Sequence, residues 1–182
     1  NISHTLEDHV LRKRLDALLF TGFQESAHWR EEIERYLALA NVARQVCIFA
    51  GQPLPPDSTA NSLHITLNGD DPLRQEWFLL ILSNAFAVLL CGQDQHTPFL
   101  DELDREFDTF WTFEPSVINR ALDRLEGVIA EYRPDKLALL RQARQEIPPP
   151  APDVRFISEF SLDIIRYQEA LNRRLRVSEQ RF

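Results

Sequence analysis

Glycine is scarce in this chain, five residues among 182, and no two of them stand close together. The loop Gly22-Phe23-Gln24-Glu25 sits between a strand-like run and a helix-like one, where nucleotide sites are often built. It has neither the glycine run nor the lysine that a phosphate cradle needs, so it reads as an ordinary strand-to-helix connection. Cysteine is down to two residues, Cys47 and Cys91, both inside apolar runs. Reduced core thiols follow, and with them a cytoplasmic location. Burial raises a thiol pKa, the opposite of what a nucleophile needs, and neither cysteine has a histidine beside it. Positive charge is also in deficit: 20 Lys and Arg against 28 Asp and Glu leave a net charge of −8. Neither nucleic acid nor an anionic membrane is therefore an expected partner. No apolar run is long enough to span a bilayer as a helix, and no signal-peptide pattern opens the chain. Methionine is absent altogether, from which we expect a segment that lost its start by processing or was cut from a longer polypeptide.

Catalytic and metal patterns are missing as well. The five histidines, at positions 4, 9, 28, 64 and 96, lack the close paired spacing of fixed metal sites, so neither a metal nor another cofactor is expected. No Gly-x-Ser-x-Gly elbow occurs, and the carboxylate pairs Asp70-Asp71 and Asp101-Glu102 fall where solvated capping explains them. The chain does not read as an enzyme.

What is present is a dense apolar centre. Trp77 to Cys91 is two almost unbroken apolar runs separated by Ser83-Asn84. A hairpin with one face in water alternates polar and apolar residues, whereas unbroken runs need cover on both faces. The fold class that follows is α/β, a mixed sheet with a central antiparallel hairpin, helices on both faces and a C-terminal helix. Leu6, Val10 and Leu11 predict an opening helix over Ile2 to Arg14, and Asp16 to Gln24 predicts a buried strand ending near Gly22. Trp29, Ile33, Tyr36, Leu37 and Ala40 mark the apolar face of a helix whose Glu31, Glu34 and Arg35 fall elsewhere. Val46 to Gly51 is a second strand, and the strand-helix-strand order predicts a right-handed parallel crossover. Leu63 to Leu67 alternates as an outer strand does, and Phe107 to Phe113 reads as a further strand, with the last turn of a helix as the alternative. Pro115 opens a helix with the stripe Ile118, Ala121, Leu122, Leu125, Ile129 and Tyr132, and a further helical piece runs from Asp135 to Glu146.

Four prolines in the five residues 148–152 make the sharpest boundary. They favour a stiff connector between a body, residues 1–147, and a terminal amphipathic helix, residues 153–182. In that helix Ile157, Phe160, Ile164, Tyr167 and Leu171 recur at spacings of three and four, a pattern suited to pairing with another helix. A homodimer is the natural expectation. Aromatic residues gather at element ends, and a small-ligand site built from Phe23, Gln24, Trp77, Gln93, Trp111 and Thr112 is one reading, plain core the other.

The Phe20 to Gln24 loop, the amphipathic helix and Val46 to Ala50 are followed by Asp71-Pro72-Leu73, Glu76-Trp77 and the Leu82-Ser83 hairpin with Phe86. Asp104 to Phe107 then leads to Trp111-Thr112-Phe113 and a long helix. This order, over about Ile2 to Arg133, resembles the DICT domain, a sensory domain of diguanylate cyclases and two-component systems that is common in cyanobacteria. The resemblance implies a sensory input module in one polypeptide with a histidine kinase, receiver or cyclic-dinucleotide enzyme. It transfers no ligand or catalytic residue. Two other readings stay open, a docking and dimerisation module without a small ligand, and a small enzyme of degenerate nucleotide-fold ancestry.

Overall fold

The computed structural model describes residues 2–23, 29–52, 59–94 and 107–179. Its elements are α1 (Ile2–Lys13), β1 (Leu18–Phe23), α2 (Trp29–Ala40), β2 (Gln45–Ala50) and β3 (Ser62–Thr66). A 3-10 turn (Pro72–Gln75) then leads to β4 (Glu76–Leu82), β5 (Ala87–Asp94), β6 (Phe107–Thr112), α3 (Pro115–Tyr132), α4 (Pro134–Glu146) and α5 (Val154–Glu179). The six strands form one mixed sheet in the order β3-β2-β1-β4-β5-β6. β1 and β2 are parallel, as the strand-helix-strand order predicts, and β4 lies antiparallel to β1 and to β5. The apolar hairpin is thus at the centre, and the alternating strand β3 lies at the edge.

Side chains alternate across a strand, so an unbroken apolar run feeds two cores at once. Leu18, Phe20, Phe78, Leu80 and Leu82 point to one side, where Ile118, Leu122, Leu125 and Ile129 of α3 and Leu140 of α4 cover them. Leu19, Leu79, Ile81, Val88 and Leu90 point to the other, beneath Leu6 and Val10 of α1, Tyr36 and Leu39 of α2 and three residues of α5. Gly22 sits where β1 crosses the ring of Phe78, and a Cβ there would overlap that ring. Here the glycine serves close packing, with a backbone of ordinary conformation.

Two local outcomes differ from the sequence reading. The hairpin turn takes four residues, Ser83 to Phe86, because Leu82 pairs with Ala87 and Ser83 closes the turn on Phe86. Ser83 Oγ donates to the Phe86 carbonyl at 2.8 Å and accepts from its N–H at 3.1 Å. Phe86 is therefore a turn residue whose ring drops into the second core. Arg35, which the sequence places off the apolar face of α2 without a partner, lies against α1, since α1 covers that flank of the helix. Pro134 explains the break between α3 and α4: Arg133, which precedes it, is held out of the helical region at φ −138° and ψ 65°.

Candidate functional site

β1, β2 and β5 all finish at the same end of the sheet, where β4 and β6 begin. The carboxyl ends of parallel strands are where α/β folds place ligands. Phe23 and Trp77 lie there on neighbouring strands, both partly buried against the second core, with the Phe23 ring edge-on to Tyr36 at 5.3 Å. Beyond β2 and β3 the Arg74 side chain crosses Gly51 and Gly69, and a Cβ on Gly51 would come within 2.5 Å of Arg74 Nε. Asp71 anchors this corner: it accepts from Leu73 N at 2.9 Å and from Tyr132 Oη at 2.7 Å, so the end of α3 is tied to the chain entering β4. Tyr132 Oη accepts in turn from Asn68 N at 2.9 Å. Burial and the neighbouring Asp71 carboxylate raise the Tyr132 phenol above its ordinary pKa, so it serves as a neutral donor.

One turn below, a polar chain runs through the second core. Thr21 Oγ1 donates to the Phe78 carbonyl at 3.2 Å and lies 3.4 Å from Tyr36 Oη, which donates to Glu7 Oε1 at 2.8 Å. Glu7 is fully buried and takes Arg35 Nε on its other oxygen. Arg35 Nη2 also donates to the His4 carbonyl and to Asp8, each at 2.7 Å. Burial raises the Glu7 pKa, opposed by Arg35 and Tyr36, and burial with the adjacent Glu7 pushes Tyr36 well above the phenol range. Burial works against the charge of Arg35, but Glu7 and Asp8 outweigh it and hold the guanidinium protonated. Ligand atoms of His4, Glu7 and Glu32 lie within 4.8 Å of one another, and His4 Nε2 is 2.9 Å from Glu32 Oε1. Their number and chemistry suit a divalent cation. Arg35 already supplies the positive charge that Glu7 needs, and we assign the cluster to the joint between α1 and α2.

The residues that the sequence proposes as ligand contacts do not all meet. Phe23 and Trp77 share the carboxyl end, and Gln93 reaches the same level, opposite Glu76. Trp111 and Thr112 pair with Leu90 and Leu89, further down the sheet on the edge strand. Trp111 is exposed, and Thr112 Oγ1 accepts from Glu114 N at 3.1 Å, which makes it part of the turn into α3. Gln24 lies outside the described residues.

The terminal helix is divided in its use. Phe156, Phe160 and Ile164 seat α5 on the second core, so Phe160 and Ile164 are committed to the body where the sequence reading has them meeting another helix. Phe156 stacks on Phe86 at 4.3 Å and meets Phe113 edge-on at 5.9 Å, while Phe160 meets Phe113 at 5.6 Å. Ile157 is half-buried, and Tyr167, on the same stripe, is 44% exposed, so the helix has run past its seat by that point. The Leu171 side chain lies outside what is described.

Residues 1–95 match the family model described as DICT, "Sensory domain in DIguanylate Cyclases and Two-component system". The chain belongs to the DICT family. Neither a curated protein nor a solved structure matches it. The match spans α1 to the end of β5, shorter than the stretch to Arg133 over which the sequence resembles the family. It takes in five of the six strands, the Phe23 and Trp77 end and the polar chain. A DICT domain is a sensory module of signalling proteins, and among the described residues no helix is long and apolar enough to cross a membrane.

Sequence reasoning missed Glu7, Arg35 and the seat of α5. For Glu7 one signal existed: it lies between Leu6 and Val10, on the flank of the apolar face, where a carboxylate needs a partner.

Proposed function

We propose that this DICT domain is the input part of a cytoplasmic signal-transduction protein. It takes a small ligand or a protein partner at the carboxyl end of its strands, with Phe23 and Trp77 as contacts. It passes the change through α5 to an output module, which is a histidine kinase, a receiver or a cyclic-dinucleotide enzyme. The observation that carries this reading is the division of α5: its first half is seated by Phe156, Phe160 and Ile164, and by Tyr167 it has left the body. A signal needs a difference in contacts between two states, and a helix seated by three side chains supplies one.

A screen of metabolites by unfolding midpoint, followed by amide exchange in α5, tests it. A compound that raises the midpoint by binding the folded state should also change protection in α5 relative to the central strands. If binders leave α5 unchanged, the coupling is refuted. The docking-module reading predicts no stabilising metabolite at all.

We further propose that the domain acts as a homodimer through the outer stripe of α5, where Leu162 and Ile165 are about half exposed. Leu162→Glu with Ile165→Glu should halve the mass seen in sedimentation and leave the circular dichroism unchanged. A monomeric wild type, or an unchanged mass, removes the dimer.

A further inference from the structure

His9 Nε2 is the one buried side-chain nitrogen or oxygen among the described residues that has no hydrogen-bond partner. It stands on α1, 93% shielded, and its ring meets Phe156 of α5 edge-on at 5.4 Å. Phe156 is in turn stacked on Phe86, so the imidazole closes the apolar seat on which α5 rests. A buried nitrogen with no partner costs free energy unless the site gains from it. We propose that His9 is a protonation latch: neutral His9 keeps α5 seated, and protonated His9 favours its release. The inference rests on the reading of α5 as the moving part and adds the chemistry that moves it.

The charged groups facing the ring are Arg12 and Lys13 from α1 and Glu159 and Asp163 from α5. Burial lowers the imidazole pKa from its ordinary 6.5 and the two cations lower it further, while Asp163 and Glu159 oppose with weaker effect. Asp163 is itself 3.8 Å from Arg166, and neither carboxylate is bonded to the ring. When α5 is released, His9 meets water and regains an ordinary affinity for protons. Because the seated state resists the proton, seating is complete above pH 6.5 and weakens as pH falls from 6.5 toward the lowered pKa; below that it weakens no more. Between pH 7.5 and 5.5 the linkage allows the opening of α5 to rise by up to about tenfold.

The test is amide-exchange protection, corrected for intrinsic rates, at residues 157–164 of the whole chain at pH 7.5 and 5.5, with the His9 ring titration followed by NMR. Protection should fall several-fold at the lower pH, with the midpoint of the ring below 6.5. His9→Gln, which cannot titrate, should abolish the fall, and His9→Phe provides a second non-titrating variant should the glutamine not fold. Asp163→Asn should deepen the fall. Equal protection at both pH values, or a fall that persists in both His9 variants, overturns the latch. If α5 still opens ahead of the central strands at a pH-independent rate, only the latch is lost. If α5 exchanges only together with β1 and β4 at both pH values, the output reading is lost as well.

Discussion

Arg35→Leu is expected to destabilise the domain by about 3–5 kcal/mol at neutral pH, the range seen when a buried ion pair loses one partner. Glu7 is fully buried and has two partners, Arg35 on one oxygen and Tyr36 on the other. Without the guanidinium a carboxylate remains in an apolar layer with a single hydroxyl donor. Asp8 contributes little to this figure, since its side chain is half exposed and an exposed pair is worth a fraction of a kcal/mol. The pH dependence identifies the cause. Burial already raises the Glu7 pKa above its ordinary 4.5, and removing Arg35 raises it more. Between 4.5 and that raised value the folded state holds more protons than the unfolded one, so stability falls as pH rises. The variant should therefore lie nearest wild type around pH 5 and furthest from it around pH 8. Adding Glu7→Gln removes the uncompensated charge, keeps an acceptor for Tyr36 and should recover most of the loss. Urea denaturation at the two pH values measures all of this. A loss below about 1 kcal/mol, equal at both, shows that water reaches the site and that the pair is ornamental.

How far the sequence could be read depends on what each residue's neighbours are. Trp77 to Cys91 was legible because cover on both faces leaves its mark within the strands themselves, and the breaks at Pro134 and at 148–152 were legible because proline acts locally. Phe86 was not, since a ring that drops from a turn into a core looks like one more strand residue. The partners of Arg35 were not legible for a similar reason: a cation beside an apolar face is usually solvated, and only α1, which is distant in sequence, makes it a partly buried partner. The stripe of α5 is the clearest case. A helix that packs on its own body and one that packs on a second copy need the same spacing, so Phe160 and Ile164 carry no sign of which they meet. For the ligand residues, register decided. Phe23 and Trp77 are brought level by the antiparallel pairing of β1 with β4, while Trp111 is carried down the sheet by its pairing with Leu90.

Phe160→Ala is expected to weaken the seating of α5 by about 3–5 kcal/mol, the usual cost of truncating a buried aromatic ring to a methyl group. Phe160 is 1% exposed and lies between Phe113 and the Phe156 ring that it faces at 6.5 Å. What distinguishes this site from any other core phenylalanine is where the loss falls. The sheet face beneath α5 is also covered by α1 and α2, whose Leu6, Val10, Tyr36 and Leu39 share the second core with Leu19, Ile48, Leu79 and Ile81. The seat itself rests on three side chains, and the proline stretch before it passes no helical hydrogen bond back to the body. Released from its seat, α5 should leave as a unit, and elements held by few buried contacts are the ones that open first. Amides of α5 in the variant should lose protection by two or more powers of ten, while those of β1 and β4 keep most of theirs. The apparent melting temperature of the body should move by far less than a loss of that size implies for a two-state domain. Equal losses in α5, β1 and β4 would make the helix an inseparable part of one cooperative core, and a helix that cannot leave without unfolding its body has no state of that body to report.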